Sequence, residues 1–290
     1  GLLLALLPGA AAIRLAPDSR LPPSPTLRQG LLAWYLVRPP LIGGPTWWNL
    51  LPQYPGALTN MGAGSGWSGT TRSGWAGEMR FDGSDDVVSL GALPLWAFAD
   101  TTFTVALRFR APIAATTYLL ATRNSGTFSG GYFVRLDGAG ASGTITARLL
   151  ANAAGNVVQR TTSVTSYANG NWHSVVVVFR TDTATAANND VVIFGDGVND
   201  AGSFTAPSTL VYEACITFNP TCALTLGATV DGVGPLLGAL DDVRIWQRGL
   251  SAAEVLAYHR ETLVDMQARD LAYPWLGTLT PPVRRRVVIE

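Results

Sequence analysis

From Phe103 to Leu226 the chain is cut into short apolar runs by turns containing glycine or asparagine, with almost no helical pattern between them. Many short strands at such spacing pack as two sheets face to face, so the segment predicts an all-β fold, a two-sheet antiparallel jelly-roll sandwich. The clearest run is Phe103 to Arg110, where Phe103, Val105, Leu107 and Phe109 alternate with Thr104, Ala106, Arg108 and Arg110, the period of a half-buried strand. Further strands are expected at Tyr118 to Thr122, Gly131 to Leu136, Thr144 to Leu150, Val157 to Thr162, Trp172 to Arg180, Val191 to Phe194 and Leu224 to Leu226. Val175 to Val178 is unbroken apolar, which places its strand centrally with both faces covered. No repeat period appears, which argues against propellers and solenoids.

Gly238 to Leu263 joins the last strand to a helix. Asp241, Val243 and Ile245 alternate with Asp242, Arg244 and Trp246, predicting opposite faces of a strand for the two adjacent aspartates. Ser251 and Glu254 then have the spacing of a capping box, and Leu250 and Val255 that of a hydrophobic staple. Gly30 to Val37 reads as the first buried strand, and 38–77, rich in Pro, Gly and Trp, as a long loop-dominated stretch. The expected core comprises Phe103, Val105, Leu107, Phe109, Trp172, Val176, Val178, Val243 and Ile245.

These segments resemble a known family. DDVRIW followed by RGLSAAE is similar to the closing segment of laminin-G-like domains in the concanavalin A-like lectin/glucanase group. FDGSDDVVSL, FTVALRFRA, NWHSVVVVFR and LTLGA stand in the order that family uses. The resemblance covers about residues 30–263 and implies the jelly-roll fold. It implies little about activity, since one fold hosts many functions. The group's glycan-cutting enzymes carry a Glu-x-Asp-x-x-Glu strand, with two carboxylates about 5 Å apart in retaining enzymes. The five glutamates here, Glu78, Glu213, Glu254, Glu261 and Glu290, do not fall in that pattern. No nucleophile elbow, phosphate loop or His-Glu-x-x-His helix is present, and His173 has no acid or nucleophile near it in sequence. No catalytic residue is assigned and no enzyme is expected.

The formal charge is zero without a basic stripe, which argues against nucleic acid as a partner. No apolar run reaches the ~18 residues of a membrane span. All 20 basic residues are arginine, which speaks to the genome of origin more than to chemistry. Exposed aromatics on loops stack on sugar rings, so Trp47, Trp48, Trp67 and Trp75 are the candidate glycan-binding residues; the competing reading has them cover one end of the sandwich or fill a subunit interface. Asp85 and Asp86 are candidate calcium ligands, against the simpler reading that aspartates at a turn cap their own backbone. Cys215 and Cys222 flank a turn; a disulfide and two nearby free thiols both fit, whereas a zinc site lacks further ligands.

Three parts are expected: an arm over 1–29, the jelly-roll domain over 30–263 and a tail over 264–290. The arm carries Leu2, Leu3, Leu4, Leu6 and Leu7 before a run of prolines, and the tail carries Arg284, Arg285 and Arg286. This layout resembles the capsid-decoration, head-fibre or tail proteins of bacteriophages. It implies a non-enzymatic structural protein of the virion, a homo-oligomer whose arms hold other virion subunits, with glycan as a candidate ligand. The alternative is a secreted or surface carbohydrate-binding module.

Overall fold

A computed structural model describes residues 25–36, 45–47, 49–51, 54–62, 65–68, 78–112, 115–122, 130–138, 143–150, 157–205 and 223–272, without the side chains of 67–68 and 263–272. The elements run α1 (Pro25–Arg28), β1 (Leu31–Tyr35), β2 (Thr46–Trp47), β3 (Gly56–Thr59), β4 (Gly66–Ser68), β5 (Glu78–Asp82), β6 (Val87–Ser89), β7 (Thr102–Arg110), β8 (Thr117–Ala121) and β9 (Gly131–Asp137). They continue with β10 (Thr144–Leu150), β11 (Val157–Thr161), β12 (Trp172–Arg180), β13 (Asp190–Gly195), β14 (Val198–Asp200), β15 (Ser203–Thr205), β16 (Thr225–Leu226), β17 (Leu237–Trp246) and α2 (Ala252–Ala272). Sheet A runs β14-β13-β12-β7-β17-β5-β4, with β1 on the same edge of β17 as β5; sheet B runs β15-β11-β10-β9-β8-β16-β6-β3-β2. Every pairing is antiparallel, as a jelly-roll sandwich requires. Among the described residues no helix is long and apolar enough to cross a membrane.

The strands expected from sequence form to within a residue or two. Three short ones, β2, β3 and β4, lie in the stretch expected to be loop-dominated; at two to four residues each, they are too brief to show a period. Phe103, Val105, Leu107 and Phe109 face the interior with Tyr132, Val175, Val177 and Phe179. Phe103 stacks on Phe98 at 4.1 Å and on Phe179 at 4.9 Å.

The opposite face of β7 is also covered. Thr104, Ala106 and Arg108 are buried rather than solvent-facing, because α2 lies across this side of sheet A. The same layering corrects three of the core assignments. Val176 and Val178 pack with Trp246, Val255 and Tyr258 on the helix side, not inside the sandwich. Trp172 is half-buried, its ring against the guanidinium of Arg108 at 5.3 Å. Residues one apart on a doubly covered strand serve two different cores, which a list of apolar positions does not separate.

Two further differences concern β17 and α2. The pairing of β17 with β7 shifts register between Asp241 and Arg244, with Asp242 at φ 49°. The bulge breaks the alternation, so Asp241, opposite Arg108, and Asp242, bonded to Arg244 beside Tyr258, both lie on the helix side instead of pointing to opposite faces. The capping box forms, Glu254 N–H donating to Ser251 Oγ at 3.3 Å and Ser251 N–H to Glu254 Oε2 at 2.9 Å, and Leu250 and Val255 pack together. The helix runs on to Ala272, beyond the expected end at Leu263, because its sequence offers no stop before Pro274. The last residues of the expected arm belong to the domain: Leu27 is fully buried beside Trp246, whose Nε1 donates to Leu27 O at 2.7 Å.

Candidate functional site

Of the two outward faces, that of sheet A lies under α2, whereas on that of sheet B half-buried polar side chains stand over buried aromatic ones. They come from the alternate positions of β8 to β11, whose intervening residues, Leu120, Tyr132, Val134, Leu136, Ile145, Ala147, Leu149 and Val158, fill the core. Cross-strand register aligns them in two adjacent rows. One row is Tyr118, Arg135, Thr146, Thr161 and Ser203; the other is Ala121, Phe133, Arg148, Gln159 and Thr205. Each crosses five strands, about 19 Å at the usual inter-strand spacing.

Hydrogen bonds and ring contacts fix these side chains. Arg148 Nε donates to Gln159 Oε1, Gln159 Nε2 donates to Thr161 Oγ1 at 3.0 Å, and the hydroxyls of Thr161 and Thr146 are 2.9 Å apart. Phe133 is fully buried beneath this layer. The guanidinium carbons of Arg135 and Arg148 lie 5.4 and 5.5 Å from its ring centre, and Tyr118 meets it edge-on at 5.2 Å. Arg135 pairs with Asp137 at 2.7 Å, both side chains about one-fifth exposed (20% and 19%). The half-buried donors and acceptors of Arg135, Arg148, Gln159 and Thr161, held in one layer, are what recognition of a polyhydroxylated ligand needs, with little side-chain entropy left to lose on binding.

The residues singled out in the sequence fall elsewhere. Trp47 is fully buried in the core, 6.0 Å from Tyr35, and cannot stack on a ligand; its two-residue strand turns it inward. Trp67 pairs with Met79 through its backbone, and its side chain is outside the described residues, as are Trp48, Trp75, Cys215 and Cys222.

At the β5–β6 turn, carboxylate oxygens of Asp82, Asp85 and Asp86 lie within 4.8 Å of one another. Asp86 is fully buried; it accepts from Asp82 N–H at 2.7 Å and Ser65 Oγ–H at 3.1 Å, and burial raises its pKa. The all-oxygen donor set suits a hard cation such as calcium, which Asp82, Asp85 and Asp86 would hold together. The sequence reading named Asp85 and Asp86; the turn adds Asp82 to them. Asp86 is sealed from any substrate, so no pair that includes it can flank a scissile bond; Asp82 and Asp85 are the exposed members of the cluster.

A polar cluster also joins sheet A to α2. His173 does have an acid partner, Asp196, brought beside it by the β13–β14 turn; Nδ1 and Oδ2 are 2.8 Å apart. Burial would raise the Asp196 pKa, but His173 and the Ser174 N–H outweigh it and hold it below the ordinary value. Ser174 Oγ lies 2.7 Å from His259 Nδ1, yet Ser174 is 3% exposed beneath the helix, out of reach of a substrate. Nearby, Arg244 pairs with Asp242 at 2.6 Å and with Glu261 at 3.2 Å, and Tyr258 donates to Asp242 O at 3.0 Å. Burial, then Asp242, push the Tyr258 pKa well up. This layer holds the helix to the sheet.

Comparison with known proteins agrees with the geometry. Residues 82–256 match a laminin-G family model described as the concanavalin A-like lectin/glucanases superfamily. Similar solved structures include botulinum neurotoxin type C, described by cell entry dependent upon interaction with two ganglioside molecules (TM-score 0.53, 10% identity, 81% of this chain and 52% of that one). Others are the receptor-binding domain of botulinum neurotoxin type G (0.50, 12%, 80% and 51%) and the sialidase of Trypanosoma rangeli (0.52, 14%, 79% and 32%). At these identities the likeness is one of fold, and the chain spans about half of each toxin chain and a third of the sialidase. A comparison with curated proteins finds no match.

Proposed function

Because the chain belongs to the concanavalin A-like lectin/glucanases superfamily, we propose that it is a non-enzymatic glycan-binding domain whose ligand lies along the outward face of sheet B. The observation that carries this is the pair of cross-strand rows, in which half-buried Arg148, Gln159 and Thr161 form one hydrogen-bonded chain over Phe133, anchored on buried Thr146. The ganglioside interaction of the type C neurotoxin, on a similar fold, supports the reading. That none of the five glutamates falls in the Glu-x-Asp-x-x-Glu pattern supports the non-enzymatic part.

The full chain should be retained on a glycan array, and Gln159→Ala with Thr161→Ala should abolish retention without moving the melting temperature by more than a few degrees. Retention unchanged in the double variant overturns the site.

The setting we propose is a bacteriophage virion, with 1–24 and the segment after α2 binding neighbouring subunits, in place of a free secreted module. The support is compositional, a leucine-rich then proline-rich segment at one end and three consecutive arginines at the other. Deleting 1–24 should leave a folded sandwich that no longer joins its particle; normal incorporation of the deleted protein refutes this setting.

A further inference from the structure

We infer that β15 is the contact through which a second copy of this chain adds to sheet B, the two β15 strands pairing antiparallel about a two-fold axis at Phe204. Such pairing needs no ligand and is separate from glycan binding.

The strand is an open edge. β15 ends sheet B, with β11 as its one partner strand among the described residues. Ser203, Phe204 and Thr205 are all exposed, as are Ala201 and Gly202 before them. The other strands that end a sheet, β1, β2, β4 and β14, each bury at least one residue. Backbone donors and acceptors along an open edge are a template for a further strand, and proteins commonly block them with a charge, a proline or a bulge. Residues 201–205 carry no charged side chain and no proline, and the pairing of β15 with β11 runs without a shift in register.

The side chains decide the occupant. Phe204 is 44% exposed, the one exposed aromatic ring among the described residues. The Arg160 guanidinium lies 4.5 Å from its ring centre and is itself bonded to Val191 O and Ala201 O, so an acidic strand would find little charge left to meet here. A neutral strand with an apolar centre and polar flanks fits, and β15 is such a strand. Set antiparallel against itself about Phe204, it places Phe204 opposite Phe204 and, on either side, Ser203 opposite Thr205. Aromatic pairs and Ser–Thr hydroxyl pairs both stabilise antiparallel neighbours. Phe204 shares the face of Arg160, while Ser203 and Thr205 share that of Thr161 and Gln159. An axis perpendicular to the sheet therefore continues each face into the same face of the copy.

The flank supplies further apolar area. Val198 of β14 is 69% exposed, and Val164, whose N–H donates to Asp200 Oδ2 of the same strand at 3.1 Å, is 44% exposed. Asp200 leads through Ala201 and Gly202 directly into β15, so these valines border the edge and enlarge a contact that three residues alone would leave small.

Sedimentation velocity of the full chain over a concentration series should show dimers that gain with concentration. Phe204→Lys and Phe204→Glu each set like charges opposite one another across the axis and should each weaken dimerisation roughly 10-fold or more. Mixed in equal amounts, the two variants bring opposite charges together at the axis and should pair again. Should Phe204→Lys lose its fold beside Arg160, as judged by circular dichroism, Phe204→Glu, whose carboxylate faces that guanidinium, carries the comparison. A chain that stays monomeric up to roughly 100 μM, dimers that withstand both substitutions, or a mixture of folded variants that fails to pair overturns the inference. Retention on the glycan array is read separately and decides the glycan-binding reading alone.

Discussion

At the scale of single residues, stability rests on aromatic packing inside the sandwich and on one histidine outside it. Phe103 lies between Phe98 and Phe179 with no exposed surface, so Phe103→Ala should cost about 3–5 kcal/mol in chemical denaturation. His259 is held below its ordinary pKa by burial and by Arg108, with Asp196 opposing. A lowered folded value means that the neutral imidazole belongs to the native state. Its contribution is therefore full above about pH 6.5 and is lost as pH falls through the lower folded value. His259→Gln should flatten the fall in melting temperature on going from pH 7 to pH 5; an unchanged slope assigns that fall to other groups. The inward alternation of Phe103 to Phe109 was legible in the sequence. The fate of Trp47 was not, since composition marks a tryptophan in a Gly- and Pro-rich stretch but not the direction in which a two-residue strand turns it.

At the scale of elements, α2 is held by both ends of its contact with sheet A. Ser251→Ala removes one side of the capping box and should cost about 1 kcal/mol. Arg244→Ala strands Asp242 under the helix and should cost about 3–5 kcal/mol. Denaturation of these variants orders the two effects. The cap was readable because Ser251 and Glu254 are local. The buried charges were not, because a bulge between Asp241 and Arg244 changes which aspartate meets which strand. The outward rows of sheet B were half-legible: the expected strands already placed Phe133 with Arg135, Thr146 with Arg148 and Gln159 with Thr161 at alternate positions. Their alignment into rows depends on register between strands, which no single strand encodes.

For the whole molecule, the reading as a binding domain predicts no release of reducing ends from any β-glucan by purified protein; release abolished by changing one Asp or Glu contradicts it. The assembly of sheet A carries a different consequence. β17 takes β7 on one side and both β1 and β5 on the other, and Trp246 reaches back to Leu27 across 219 residues of sequence. A ribosome delivers β17 after every other strand among the described residues, so β1, β5 and β7 emerge with open edges that a neighbouring nascent chain can pair with instead. The domain is therefore expected to stay unfolded during translation and to close only near release, in keeping with slow folding of nonlocal β topologies. Chains stalled before Leu237 should be cleaved readily by protease, whereas those stalled far enough beyond Trp246 to clear the exit tunnel should resist.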